Sequence, residues 1–539
     1  MIKFQGWGSA SAAVLAAVIA LVPSLEADDS LHRVWAIKDC RVVLPAGPAI
    51  EQATIIIRDG LIEAVGKGLP VPPDAEVIDG SKLTATPGLI DGLGKSLLKL
   101  PEEKLDMTKF YTGDFTDKDK GITPEFKAYD YVNIGKATLE KYYKFGFTAA
   151  QVMLDRGIFS GRSAFFVLSD PDKDKALVPG AACMGIGFNP SSIQAYPNSL
   201  MGVQAYLRQT LLDATYYDMS LNRWLKDPAG ILRPDHSPTL EILADYATGR
   251  KPVIFLCRNQ YDIRRALALA SDLKLDYLIC DSGNEAAEVI PELKKAGARV
   301  LCAVTFKAPT SSLYSQKGRT ERDRAEKEIY PRNPARLAEA GIPFAFSSLG
   351  TDDPKSFTEG VLKAIEAGLP KDKALAALTS VPSAFFGLDK ALGTLEAGKL
   401  ANIVLTEGEL LVKDPKVKVV FTDGRKWEPK DTAGKTGEKP VVNVSGKWDI
   451  QAEGIPKFTV EFLQEEADLS GKMVTPFGVF EFTGGSVSGN DISYEMNISA
   501  GGQEIDLYIS GTVEGDTVRG TIVQGTSGST EYTAKRIPG

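Results

Sequence analysis

The sequence predicts an α/β chain with a large central parallel-sheet domain, strand-rich flanks and a separate all-β module at its C-terminal end. Three observations carry this. Apolar strand runs alternate with helical patterns through the centre. Two strand-rich patches bracket that centre. Residues 443–539 then alternate apolar and polar positions between glycine-bearing turns.

Met1 to Ala27 reads as an export signal. Lys3 supplies a positive start, Ala10 to Val22 is an unbroken run of small and apolar residues, Pro23 breaks it, and a cleavage point follows at Ala27. The run is short for a membrane span, and no later apolar run reaches about 18 residues. No Cys follows it to take a lipid anchor. The mature protein is therefore expected in a bacterial periplasm or outside the cell.

The first flank, residues 34–86, contains RVVLPAG, ATIIIRDGLIEAVG and AEVIDGSKLTATPG. Its Arg58-Asp59-Gly60 between two apolar runs is a hairpin signal. The second, residues 389–427, contains KLANIVLTEGEL and KVKVVFTDGRKWE. Together they predict one small β domain assembled from both sides of the centre.

Within residues 87–388, ATLEKYYKFG leads into FTAAQVM, KPVIFLC precedes DIRRALALASDL, and DYLIC precedes NEAAEVIPELKKAG. ARVLCAVTF, GIPFAFSS and SFTEGVLKAIEAGL follow. Such units imply a parallel sheet, doubly wound or closed into a barrel, and the length suffices for eight units. Residues 428–442 are polar and carry Lys, Gly and Pro, as a linker does. The meander after it reads as antiparallel strands.

The chain has 539 residues, 62 Lys+Arg against 70 Asp+Glu, a net charge of −8, and 43% hydrophobic residues. This composition excludes collagen-like, coiled-coil and wholly disordered chains. Residues 443–539 hold 6 Lys+Arg and 14 Asp+Glu, which accounts for the whole net charge. That argues against nucleic-acid binding by the module. Its Glu514 and Asp516 could hold Ca²⁺, but no full calcium-loop pattern surrounds them. Only two histidines are present, His32 and His236, so a site with three or four imidazole ligands is excluded. His236 sits in RPDHSP, which reads as a surface loop. Cys257, Cys280 and Cys302 each lie in an apolar run and read as small buried hydrophobes; with Cys40 and Cys183 the count is odd, so at least one thiol is free or paired between chains.

The stretch GLIEAVGKGLPVPPDAEVIDGSKLTATPGLIDG and the tail ALAALTSVPSAFFGLDKALGTLEAGKLANIVLTEGEL…VVFTDGRKW resemble the N- and C-terminal signatures of the amidohydrolase superfamily, nearest to imidazolonepropionase-like members. The resemblance covers residues 34–427. It implies a (β/α)8 TIM-type barrel with a composite β-sandwich domain, and metal-assisted hydrolysis of non-peptide C–N bonds such as those of cyclic amides. Zinc or another divalent metal at four His positions would lower the pKa of its bound water and polarise a carbonyl, while an Asp handles protons. Family members commonly dimerise, which implies a homo-oligomer, or a heteromer with an active homologue.

The same resemblance places Leu93 and Lys95 at the His-x-His positions after Pro87-Gly88-Leu89-Ile90-Asp91-Gly92. Leu256 and Ser282 fall at the third and fourth His. At the Asp position stands Leu349 in one alignment and Asp352 in another. Leu cannot ligate a metal and a Lys ammonium repels one, so no metal cofactor is predicted. Charged and polar residues at the strand ends, Lys95, Arg258, Asn259, Asp281, Glu285, Lys307, Asp352 and Asp353, remain as candidate pocket groups. The economical arrangement is internal neutralisation, with Lys95 or Arg258 paired to Asp281 or Asp352. Nucleophilic catalysis by Ser282 or Cys257 would need a base that the missing histidines do not supply.

GIFSGRSAFFVL (Gly157–Leu168) and YPNSLMGVQAYLRQTLLDATYYD (Tyr196–Asp218) resemble a subgroup of exported amidohydrolase-like proteins. The second has helical apolar spacing, and its Arg208 could pair with Asp213.

Three functions therefore stand at this stage. The first is an exported pseudoenzyme of amidohydrolase fold that binds a small molecule or a protein partner. The second is a hydrolase with an unorthodox site built on Asp352, Lys95 and Asp281. The third is a binding protein acting through its C-terminal module, since a small barrel can enclose a ligand.

Overall fold

The computed structural model describes residues 34–45, 47–100, 115–189, 196–307, 321, 323–351, 353–429, 439–452, 455–475, 478–500, 503–524 and 529–537. The expected export signal lies outside them, as does Asp352. Residues up to Pro429 form one compact unit and Lys430–Gly539 a second.

The flanks meet in one eight-stranded sheet. It takes β1 (Val34–Val42), β2 (Ile50–Arg58), β3 (Leu61–Lys67), β4 (Ala75–Asp79) and β5 (Thr84–Pro87) from one side. From the other come strands Ile403–Glu407, Lys416–Thr422 and Arg425–Trp427. The junction is antiparallel pairing of Ile403–Thr406 with Thr84–Pro87. Trp35 and Phe421 lie three strands apart in the ladder, yet their rings touch edge to face at 5.6 Å, so the sheet curls over a shared apolar core. Two tight turns hold the curl. Asp59-Gly60 and Asp423-Gly424 all have positive φ, the backbone that a two-residue hairpin turn requires. They pack so closely that a Cβ on Gly424 would stand 2.3 Å from the Cα of Gly60.

The centre supplies seven parallel strands: β6 (Leu89–Gly94), β7 (Phe147–Val152), β11 (Met184–Gly187), β12 (Val253–Cys257), β13 (Tyr277–Asp281), β14 (Val300–Ala303) and β15 (Phe344–Ser347). Between β7 and β11 the chain departs from a strict repeat. Strands β8 (Phe159–Arg162) and β9 (Ala164–Val167) run antiparallel to both neighbours, β8 along β11 and β9 along β7. A short strand β10 (Leu177–Val178) follows at the edge. At the other seam, β15 lies against β6 through side chains: Ser347 Oγ donates to the Leu93 carbonyl at 2.6 Å, and Ser348 N–H donates to Asp91 at 3.0 Å.

These strands are buried and largely apolar because both their faces are covered. Strand alternation sorts the residues. Ile90, Leu93, Ile254, Leu256, Leu278, Cys280, Leu301 and Ala345 point into the barrel. Val253, Phe255, Cys257, Ile279, Val300, Cys302 and Phe346 point outward to the helices. The stretch NEAAEVIPELKKAG, expected as one helix, is a 3-10 turn (Ala286–Val289) followed by an α-helix (Ile290–Ala296), with Pro291 in the first turn of the second piece. All five cysteines are free and buried, the three in strand runs among them, as expected.

The second unit is a closed eight-stranded barrel. Its strands are β19 (Gly446–Ala452), β20 (Ile455–Glu465), β21 (Asp468–Thr475), β22 (Gly478–Ser488), β23 (Asp491–Ala500), β24 (Gln503–Glu514), β25 (Thr517–Gln524) and β26 (Ser529–Arg536), numbered after the three C-terminal flank strands, β16 to β18. Each is antiparallel to the next, and β26 returns to β19. The interior holds Trp448, Phe462, Phe482 and Tyr494, the last two stacked at 4.3 Å. Asp516, once a candidate calcium ligand, is paired with Arg536 at 3.1 Å instead, because the turn bearing it folds back beside β26.

This barrel closes its own hydrogen-bond ladder and has its own core, so residues 439–539 are expected to fold alone. Trp448, its single tryptophan, is fully buried and hydrogen-bonded to the Val444 carbonyl. The isolated fragment should unfold cooperatively in urea with a red shift of Trp448 emission. Trp448→Phe should lower its stability by about 1–3 kcal/mol through lost volume and a stranded carbonyl. A fragment without a cooperative transition would show that the barrel needs the rest of the chain.

Candidate functional site

The C-terminal ends of β6 and β12 to β15 converge at one mouth. Three of its sequence-highlighted residues are leucines in the barrel's apolar interior: Leu93 is wholly buried, and Leu256 and Leu349 are 6% exposed. Their neighbours include Ile90, Ile254, Leu301 and Phe386. The space they occupy is packed with apolar side chains.

Lys95 stands just past β6 with its ammonium 3.0 Å from Asp155, which follows β7. The pair is part-exposed, so its worth in stability is small, about 0–1 kcal/mol. This corrects the expected partner of Lys95: neither Asp281 nor Arg258 takes part. The parallel pairing of β6 with β7 brings Asp155 beside Lys95.

Asp281 is wholly buried and already engaged. Its carboxylate accepts from Glu285 N–H at 3.1 Å, Ala286 N–H at 2.8 Å and Asn333 Nδ2 at 2.9 Å, and so ties the turn after β13 to the helix Asn333–Glu339. Burial pushes its carboxyl up to about 6 despite those bonds. Arg258 donates from Nε and Nη2 to the Asn189 amide oxygen at 3.0 and 3.2 Å, with that amide oriented to accept. Asn259 and Asp353 are helix caps. Asn259 accepts from Tyr261 and Asp262 N–H at the head of helix Gln260–Leu273. Asp353 accepts from Ser356 N–H and Oγ at the head of helix Pro354–Glu366. Glu285 accepts from Gln260 N–H, and Lys307 is exposed. Ser282 Oγ donates to the Cys257 carbonyl at 3.0 Å, and burial raises the Cys257 thiol well above its ordinary value, so neither is an activated nucleophile.

Two residues of the mouth escaped the sequence reading. Asp91, wholly buried at the end of β6, accepts from Leu93 N–H at 3.2 Å and from both the N–H and the hydroxyl of Ser348. Burial lifts its carboxyl to about 6. Asn284 is 3% exposed at φ 59°, and neither atom of its amide has a hydrogen-bond partner among the described residues. An Asx residue next to a glycine, as in Ser282-Gly283-Asn284, was the available signal for a left-handed turn position.

The crystal structure of an amidohydrolase from Thermotoga maritima MSB8 superposes with a TM-score of 0.62 at 19% identity, over 73% of this chain and 100% of that one. Residues 289–427 match the model of the amidohydrolase family. The chain carries the amidohydrolase fold. The amidohydrolase resemblance read in its sequence is thereby borne out at the level of the fold, and the central domain is of TIM-barrel type. A 55-residue stretch is 47% identical to the dihydroorotase of Geotalea daltonii and 44% identical to that of Geobacter sulfurreducens. Each match covers 10% of this chain and 13% of the relative, so the chain spans a small part of the curated proteins it matches.

Amidohydrolases generally use divalent metals, and the residues present here do not fit one. Leu93 and Leu256 offer no lone pair, Lys95 carries positive charge held by Asp155, and the Ser282 hydroxyl is turned to a backbone carbonyl. Among the described residues no three His, Cys, Asp or Glu side chains converge as a metal would need. His236 is exposed on its loop, 3.6 Å from Glu241. Arg208 pairs with Asp272 at 2.6 Å rather than with Asp213, which accepts from Gln209 one helical turn away, because Arg208 faces the next helix.

The buried carboxyls predict a distinctive pH dependence. Both Asp91 and Asp281 titrate higher in the fold than in the unfolded chain. Their stabilising contribution is therefore complete below about pH 4 and is lost as pH rises through about 6, by about 3 kcal/mol each. Asp91→Asn keeps an acceptor for Leu93 and Ser348 N–H and can donate to the Ser348 hydroxyl. Urea unfolding across pH 4–7 should give a flatter stability profile for this variant than for the wild type. Asp281→Asn turns an NH₂ toward an N–H donor and should cost about 1–3 kcal/mol at pH 4. Identical pH slopes for wild type and Asp91→Asn would refute the assignment.

Proposed function

We propose that this chain is an exported amidohydrolase-fold protein that has lost metal-dependent C–N bond hydrolysis and acts by binding or assembly. The observation that carries the reading is the fate of the metal-ligand positions. Leu93, Leu256 and Leu349 form part of a continuous apolar core where the family's chemistry needs donors in a wet, polar mouth. At Lys95, an ammonium paired with Asp155 stands where the family presents an imidazole. The remaining polar groups, Asp281, Asn259 and Asp353, are committed to backbone N–H groups. That is structural work, and it leaves none of these three free to act as a general base. The match to cyclic-amide hydrolases is partial, and descent of the fold accounts for it without descent of the reaction.

Metal analysis and turnover decide the matter. The full-length chain purified from zinc-supplemented medium should carry well under one equivalent of transition metal and should not hydrolyse cyclic amides. One equivalent of bound metal together with hydrolysis would overturn the proposal. Hydrolysis without metal, abolished in Lys95→Ala or Asp352→Ala, would instead establish the unorthodox hydrolase. Co-purification of a homologous catalytic subunit from the native host would support assembly as the role. Mass spectrometry of the protein from the periplasmic fraction should find its N-terminus near Asp28.

A further inference from the structure

A cavity of about 520 Å³ lies at the opposite end of the barrel from the mouth. It is lined by Arg162, which pairs in the ladder with the first residue of β11, by Arg250 and Lys251 just before β12, and by residues of the helices Leu200–Lys226 and Pro238–Ala247. These are the N-terminal ends of the parallel strands. Two segments that the sequence singled out end here: Gly161-Arg162-Ser163 and the helix running to Tyr217-Asp218.

Most of those residues have evident work in the fold. Gly161, at φ 88°, admits the Phe126 carbonyl, which would stand 2.6 Å from a Cβ. Ser163 Oγ accepts from Gln151 Nε2 at 2.6 Å and Cys183 N–H at 2.7 Å. Val203, Leu207, Leu211, Ala214 and Tyr217 form the buried face of the helix. The Arg162 side chain has no such work. Its backbone N–H is bonded to Phe126, but its guanidinium has no ion pair or hydrogen bond among the described residues, and its Nε is buried without a partner. A buried donor left unpaired costs about 1–3 kcal/mol.

Of the cavity's other charges, those beside β12 are paired. Arg250 makes two bonds to Asp218, at 2.8 and 3.1 Å, and one to Asp245 at 3.0 Å, while Lys251 pairs with Asp245 at 2.7 Å. Glu241 is on the exposed side, facing His236. On the buried side Arg162 therefore has no counter-charge in contact among the described residues. Around it the walls are apolar and aromatic, with Ile242, Leu221 and the rings of Tyr217 and Tyr246. Tyr246 is 2% exposed, and burial holds its hydroxyl up at about 12, so it stays a neutral donor.

We propose that this cavity is a binding site for a small carboxylate with an apolar or aromatic body, its carboxylate seated on the Arg162 guanidinium. The planar two-donor face of Arg matches a carboxylate. The single unmatched charge favours a monoanion over a phosphate dianion, and the volume lies in the range of small-molecule sites. Because the site is at the other end of the barrel, it stands whether or not the mouth retains chemistry.

Benzoate is the probe, titrated calorimetrically into the full-length chain beside the isosteric neutral benzamide and inorganic phosphate. The expected result is saturable binding of benzoate, at least about tenfold weaker binding of benzamide and phosphate, and a similar loss for benzoate in Arg162→Gln. Ile242→Trp, which fills the cavity and leaves Arg162 in place, should abolish benzoate binding and covers the case in which Arg162→Gln fails to fold. No saturable benzoate binding up to about 10 mM would overturn the proposal. Binding unchanged in a folded Arg162→Gln or in Ile242→Trp would overturn it too, by placing the ligand elsewhere.

Discussion

The barrel depends on one seam. Among the described strands two junctions lack a backbone ladder, β8 to β9 and β15 to β6, and the second is closed through side chains. Asp91 takes the N–H and hydroxyl of Ser348, and Ser347 reaches the Leu93 carbonyl. Asp91 stands two residues before Leu93 on β6, and Ser348 adjoins Leu349, so the seam and the leucine plug are built from the same two strand ends. A wholly buried carboxyl in that place is expensive unless its acceptors are filled, and three donors fill them.

The plug follows from this closure. In a TIM-type barrel the interior is a packed core whose upper layer is left to the chemistry of the mouth. Here the upper layer continues the core. Leu93, Leu256 and Leu349 join Ile254, Leu278 and Leu301 in one apolar cluster, and polar groups at the strand ends turn outward to cap helices or tie loops. Stability and chemistry compete for these positions, because a side chain that donates to a metal cannot also fill a dry core. The opposite, N-terminal end shows the reverse pattern: a cavity lined by charged residues as well as apolar and aromatic ones, with the Arg162 guanidinium unpaired among the described residues.

Much of the fold was legible because apolar runs recur at regular spacing, and a strand covered on both faces reads as an uninterrupted apolar run. The flanks were legible as one β unit because two strand-rich patches bracket the centre, the first with a turn signal at Asp59-Gly60. The antiparallel β8–β9 segment was not, since strand direction leaves no mark on a four-residue apolar run. The site was less legible than the fold. Asn259 and Asp353 looked like pocket groups because an Asx residue at a strand end and one at a helix start share the same local pattern; only the hydrogen bonds separate them.

Composition alone determined that the four imidazoles of an amidohydrolase metal site cannot be present, because two histidines in 539 residues do not make four. It also located the net charge in the last module and marked the strand runs. What tertiary structure alone decided is who meets whom. Lys95 meets Asp155, 60 residues away; Asp91 meets Ser348, 257 away; Arg162 meets a cavity shared with residues 217–251. A charge has no preferred partner along the chain. Its partner is set by which strands lie side by side when the barrel closes, and that is a property of the packed core as a whole.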